Sequence, residues 1–107
     1  VIHCTATREG KDVSAATIRG WHKKMGWRDI GYHYVIRLDG SVEKGRADTV
    51  VGSHVRGWNT GSLAIVYVGG LDASGSAKDT RTPQQKQAMR MLVRSLTASH
   101  PKATVLG

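Results

Sequence analysis

Apolar and polar positions along this chain change their spacing several times, and each change marks an element. Val1 to Cys4 (V-I-H-C) reads as the end of a buried strand, and Thr5 to Val13 is polar and loop-like. Ser14 is an N-cap candidate, after which Ile18, Trp21, His22 and Met25 recur at helical spacing until Gly26 supplies a stop. That spacing predicts a helix packing Ile18, Trp21 and Met25 on a sheet. Trp27 to Ile30 is a connection. Tyr32 to Leu38 and Ser41 to Lys44 then form a β-hairpin around the turn pair Asp39-Gly40.

Ala47 to Gly61 is a long irregular stretch, of the kind that a rigid scaffold uses to aim functional side chains. Leu63 to Val68 is a near-continuous apolar run, hence a central buried strand. Gly69 to Arg81 reads as a flexible connection, with Gly69-Gly70 as a turn. In Thr82-Pro83-Gln84-Gln85 the threonine caps, the proline takes the first helical position and Gln85 completes a capping box. Met89, Leu92, Val93 and Leu96 line the core face of the helix that follows, which reaches about His100. Ala103 to Leu106 begins a last strand. The layout is α/β, a central mixed β-sheet flanked by α-helices.

Length and charge narrow the picture further. The 107 residues, 39% hydrophobic, make one domain with a single core. No apolar run approaches the roughly 18–20 residues of a membrane span, and no secretory signal is visible, so membrane insertion is not expected. Opening on Val1-Ile2 in mid-strand points to a processed or trimmed start. A net charge of +8 favours a polyanionic partner or serves solubility. The cations are scattered instead of forming a run, which weakens a nucleic-acid reading. Cys4 is the only cysteine, which excludes an intrachain disulfide, and beside His3 on a strand it should face the core as a buried thiol.

The histidines carry the candidate chemistry. His22 reads as a partly exposed helix residue and His100 as a structural residue at a helix end. His3, in a short strand opening on a cleft, is a metal-ligand candidate. Tyr32 and His33 alternate on their strand, so only one of them faces a given cleft. His54, in the long loop, is a ligand, a substrate contact or a surface residue. No H-E-x-x-H helix, P-loop or nucleophile elbow is present.

The order I-H-C-T-A-T, R-G-W-H-K-K-M-G-W-R-D-I-G-Y-H-Y-V-I-R-L-D-G, G-R, V-G-S-H-V-R-G-W-N and Y-V-G-G resembles the zinc N-acetylmuramoyl-L-alanine amidases. These include phage lysozyme-type endolysins and share a fold with peptidoglycan recognition proteins. The likeness runs from His3 to about Leu96. It implies a mixed sheet with flanking helices and a Zn2+ held by two histidines and a cysteine, with His3 matching the first ligand. Tyr32 matches the catalytic tyrosine, and His54, Trp58 and Asn59 match substrate-binding positions.

The implied reaction is hydrolysis of the amide between N-acetylmuramic acid and L-alanine by zinc-activated water. The implied partner is peptidoglycan and the site of action the bacterial cell wall, with production in the cytoplasm compatible with it. The family's other histidine and its cysteine ligand follow the last strand. Residues 1–107 are therefore expected to be one amidase-like domain lacking its first strand's start and its C-terminal zinc-ligand segment, holding zinc poorly through His3 alone. The alternative is a non-catalytic module that binds muramyl peptides. A nucleic-acid or polymerase partner, suggested by charge and by some phage members, ranks third.

Overall fold

The computed structural model describes residues 1–48, 50–52 and 62–106. Its centre is a four-stranded mixed sheet in the order β1-β5-β3-β4, built from β1 (Ile2–Cys4), β3 (Tyr34–Ile36), β4 (Val42–Lys44) and β5 (Ile65–Tyr67). β5 runs parallel to both β1 and β3, and β4 closes the hairpin antiparallel to β3. The mixed α/β architecture expected from the sequence is thus the one found, with the 63–68 run at its centre. Among the described residues no helix is long and apolar enough to cross a membrane.

Alternation along the strands sorts the sheet into two faces. Val35 and Val66, fully buried, join Val13, Ala15, Ile18, Ile30 and Val68 on the side of helix α1 (Ala15–Lys24). Ile36 and Ile65 pack with Met89 on the side of helix α2 (Pro83–Ser99), where Ile2, Leu92, Val93 and Leu96 join them. Each fully buried valine or isoleucine among them stabilises the fold by about 1.5–3 kcal/mol.

The helix starts follow the sequence. Ser14 accepts a bond from the Thr17 amide, and Thr82 and Gln85 form a reciprocal capping box. Gln85 is fully buried and its Nε2 also donates to the carbonyls of Val68, at 2.9 Å, and Ile36, at 3.4 Å, pinning α2 to two strands. The hairpin tip docks nearby, where Thr82 Oγ1 donates to the Leu38 carbonyl at 2.7 Å.

Several expectations need correction. The buried stripe of α1 is Ala15, Ile18 and His22, while Trp21 and Met25 are 39% and 59% exposed. These three lie three and four residues apart, the spacing of one helical face. β1 is an edge strand and half-buried, not a fully buried one. The polar stretch 5–13 and the connection 69–81 are not plain loops: β2 (Thr7–Arg8) pairs in parallel with β6 (Gly70–Leu71). Gly70 therefore belongs to a strand, and a Cβ there would come within 2.5 Å of Cys4 Sγ, so only glycine lets the chains approach. Residues 103–106 form no assigned strand, although the Leu106 carbonyl accepts from the Ile2 amide at 2.8 Å.

Candidate active site

The entry to β3 sets the geometry. The hairpin strand begins at Tyr34, not at Tyr32, because the amides of His33 and Tyr34 both donate to one acceptor, the Ala64 carbonyl, at 3.0 and 3.1 Å. Two donors on one acceptor shift the alternation by a residue, as at a β-bulge. Tyr34 points to the α2 side, yet Tyr32 packs with the α1-side core.

His3 lies on that same α1 side, in register with Val66 of β5, while Cys4, in register with Tyr67, is directed to the other face. The expectation that histidine and thiol face opposite ways holds, although Cys4 is only half-buried. The result is an aromatic cluster: the rings of His3 and Tyr32 stand 5.8 Å apart, those of His22 and Tyr32 5.4 Å, and those of His22 and Trp27 4.4 Å.

The main chain around Tyr32 is tied down on all sides. Asp29 Oδ1 accepts from the Ile30 amide at 2.7 Å and from Arg19 Nε at 2.6 Å. Arg46 Nε donates to the Ile30 carbonyl at 2.9 Å, and the Arg46 amide donates to the Tyr32 carbonyl at 2.8 Å. Gly31 donates its amide to His22 Nδ1 at 2.8 Å.

Burial is the main cause of the shifts in ionisation of Tyr32, His3 and His22. It raises the Tyr32 phenol above its ordinary range, so the group stays protonated at neutral pH and serves as a hydrogen-bond donor. It lowers His3, which presents a neutral imidazole. His22 is lowered by burial first and then by the charge of Arg46. A neutral imidazole beside a protonated phenol places a lone pair, able to take a proton or a metal ion, next to a donor for a bound carbonyl oxygen.

The remaining sequence candidates divide clearly. His33 is wholly buried, with Nε2 against the Val50 carbonyl at 2.8 Å and Nδ1 accepting from the Ala64 amide at 3.0 Å; it is structural. His22, expected to be partly exposed, is 8% exposed and belongs to the cluster. The signal was present: it falls seven residues after Ala15 and four after Ile18. His54, Trp58 and Asn59 lie outside the described residues. A cavity of about 690 Å³ between Ile2, Ile65, Val93, Leu96 and Val105 is on the α2 side, away from this cluster.

The whole chain, residues 1–107, matches the family described as N-acetylmuramoyl-L-alanine amidase. The chain belongs to that family. It is 46% identical over 105 residues to the endolysin of Enterobacteria phage K11, covering 98% of this chain and 70% of that protein. It is 35% identical over 80 residues to peptidoglycan-recognition protein SC2 of Drosophila melanogaster, covering 69% of this chain and 44% of the relative.

Among solved structures, the N-acetylmuramoyl-L-alanine amidase LysC from Clostridium intestinale URNW superposes with a TM-score of 0.80 at 32% identity. That match covers 94% of this chain but 62% of LysC, so the chain spans less than two thirds of the solved amidase's length. The amidase-family resemblance and the mixed-sheet fold are therefore both met.

Among the described residues no group of three or more His, Cys, Asp or Glu could hold a metal ion. A zinc site needs three or four protein ligands, and here His3 brings one imidazole while Cys4 points to the opposite face. The described residues do not by themselves fit zinc.

Proposed function

We propose that this amidase-family domain acts in a peptidoglycan hydrolase that cleaves the amide between the lactyl group of N-acetylmuramic acid and L-alanine. The observation that carries the reading is the placement of His3 and Tyr32 on one face of the sheet with ring centres 5.8 Å apart. An amide resists hydrolysis because its carbonyl must take on negative charge as the nucleophile adds. A protonated phenol held in a half-buried place donates a hydrogen bond to that developing oxyanion, where low local dielectric strengthens it. Burial keeps the Tyr32 proton in place for this role.

His3 is the one metal donor proposed within these residues. Zinc in the whole protein then requires further donors from outside the described set. His54, Trp58 and Asn59 are proposed contacts to the muramyl peptide, in keeping with a cell-wall site of action. The surplus of sixteen Lys and Arg over eight Asp and Glu suits a wall rich in carboxylates and phosphates.

The test is product analysis on purified peptidoglycan with the full-length protein. New L-alanine amino termini should appear on the released stem peptides, and a chelator should stop their release. Glycan cleavage without new L-alanine amines would reject the reading. Retention on insoluble peptidoglycan with no bond broken would favour a binding module, the reading that similarity to a peptidoglycan-recognition protein supports.

A further inference from the structure

His22 belongs to none of the roles assigned above, yet it is buried beneath the cluster and touches both the backbone and the ring at its centre. Its Nδ1 accepts the Gly31 amide at 2.8 Å, and its ring centre is 5.4 Å from that of Tyr32. A backbone N–H can only donate, so Nδ1 carries no proton and the neutral ring holds its hydrogen on Nε2. Trp27 packs on the imidazole at 4.4 Å, tilted by 55°, and closes it off. The lowering of His22's pKa by burial and by Arg46 keeps the ring in this neutral form.

We propose that His22 is a positioning residue for Tyr32: from helix α1 it accepts the Gly31 amide and braces the Tyr32 ring, fixing the phenol beside His3. The inference rests on the reading of Tyr32 as the oxyanion donor. Gly31 is buried, so without this acceptor its amide is an orphan, and burying an unpaired N–H is unfavourable enough to turn the segment. The Ile30 and Tyr32 carbonyls are held independently by Arg46. The freed motion therefore falls on the Gly31 peptide and on the ring that His22 supports. A donor that must meet an oxyanion loses about a hundredfold in rate for a misplacement of about 1 Å.

The experiment measures amine release from purified peptidoglycan by the full-length protein. His22→Phe keeps a ring but removes the acceptor; kcat should fall about 10- to 100-fold with KM within about threefold. His22→Asn sets a carbonyl oxygen near the place of Nδ1 and should hold kcat within about threefold of wild type. Introduced into Tyr32→Phe, the His22→Phe change should cost nothing further, because the group it positions is gone.

Equal kcat for His22→Phe and His22→Asn overturns the proposal, as does the same fold-loss in both Tyr32 backgrounds. If His22→Phe does not fold, His22→Gln, with its oxygen one bond further out, replaces it. It should then rank below His22→Asn in kcat, and equality again overturns the proposal. Full activity in Tyr32→Phe would instead sink the reading of Tyr32. Wild-type kcat in His22→Phe beside an impaired Tyr32→Phe would sink only the role of His22.

Discussion

His3 and Tyr32 come within 5.8 Å, ring centre to ring centre, although the strand carrying one never touches the strand that follows the other. β5 lies between them, and Val66 sits in the row that joins His3 to Val35. The pairing therefore depends on the parallel register of three strands and on the slip at His33 and Tyr34 that turns Tyr32 to the α1 side. Site and fold are coupled at that point.

Gly45 backs onto Tyr32. A methyl group at this position would overlap the Tyr32 carbonyl oxygen and press on Ile30 Cγ2 at 3.2 Å. Backbone cannot move aside cheaply, since the neighbouring Arg46 amide holds that same carbonyl at 2.8 Å. Gly45→Ala should destabilise the fold by about 1–3 kcal/mol in urea titration and lower kcat as Tyr32 shifts. Unchanged stability and unchanged kcat together would show that the strand pair is looser than described.

Gln85 should be among the most sensitive polar positions of the domain. Replacing it by leucine removes half of the capping box and leaves the Val68 carbonyl without its buried donor, while the Ile36 carbonyl keeps the Val68 amide at 2.9 Å. The expected cost is about 2–4 kcal/mol, read as a lower urea midpoint at constant m-value. A change below about 0.5 kcal/mol would mean that water or another donor serves the Val68 carbonyl.

Stability should fall on acidification, in a window set by His22 and His3. The folded-state pKa of His22 lies below its ordinary 6.5, so as pH drops through that value the unfolded chain binds a proton that the folded one refuses. Stability is then lost progressively until the folded-state pKa is reached, and it is flat above neutrality as far as this residue is concerned. His3, shifted in the same direction, adds to the slope. Thermal midpoints from pH 7.5 to 5 should decline in the wild type and decline less in His22→Asn. An equal slope in both would assign the effect to other groups.

Much of this was legible in the chain itself, and the exceptions have physical reasons. Both helix caps, the Asp39-Gly40 turn and the central apolar strand follow from local chemistry, which short-range sequence displays. The α1 stripe was misread because histidine counts as polar: Trp21 and Met25 look like the buried pair until His22 is seen to accept the Gly31 amide. β2 and β6 were missed because two-residue strands carry no periodicity of their own. The bulge before β3 depends on Ala64, about thirty residues away in sequence, so alternation alone placed the start of the strand wrongly at Tyr32. The family and the reaction it implies follow from the order of motifs, not from periodicity. The groove residues His54, Trp58 and Asn59 fall outside the described set and stand as proposals.

The most direct measurement is the turnover of purified peptidoglycan by full-length Tyr32→Phe, with folding checked by thermal melt. Loss of the phenol should lower kcat by about 10²–10³-fold while KM and the melting midpoint stay near wild type. A folded Tyr32→Phe that releases L-alanine amines at the wild-type rate would contradict the account.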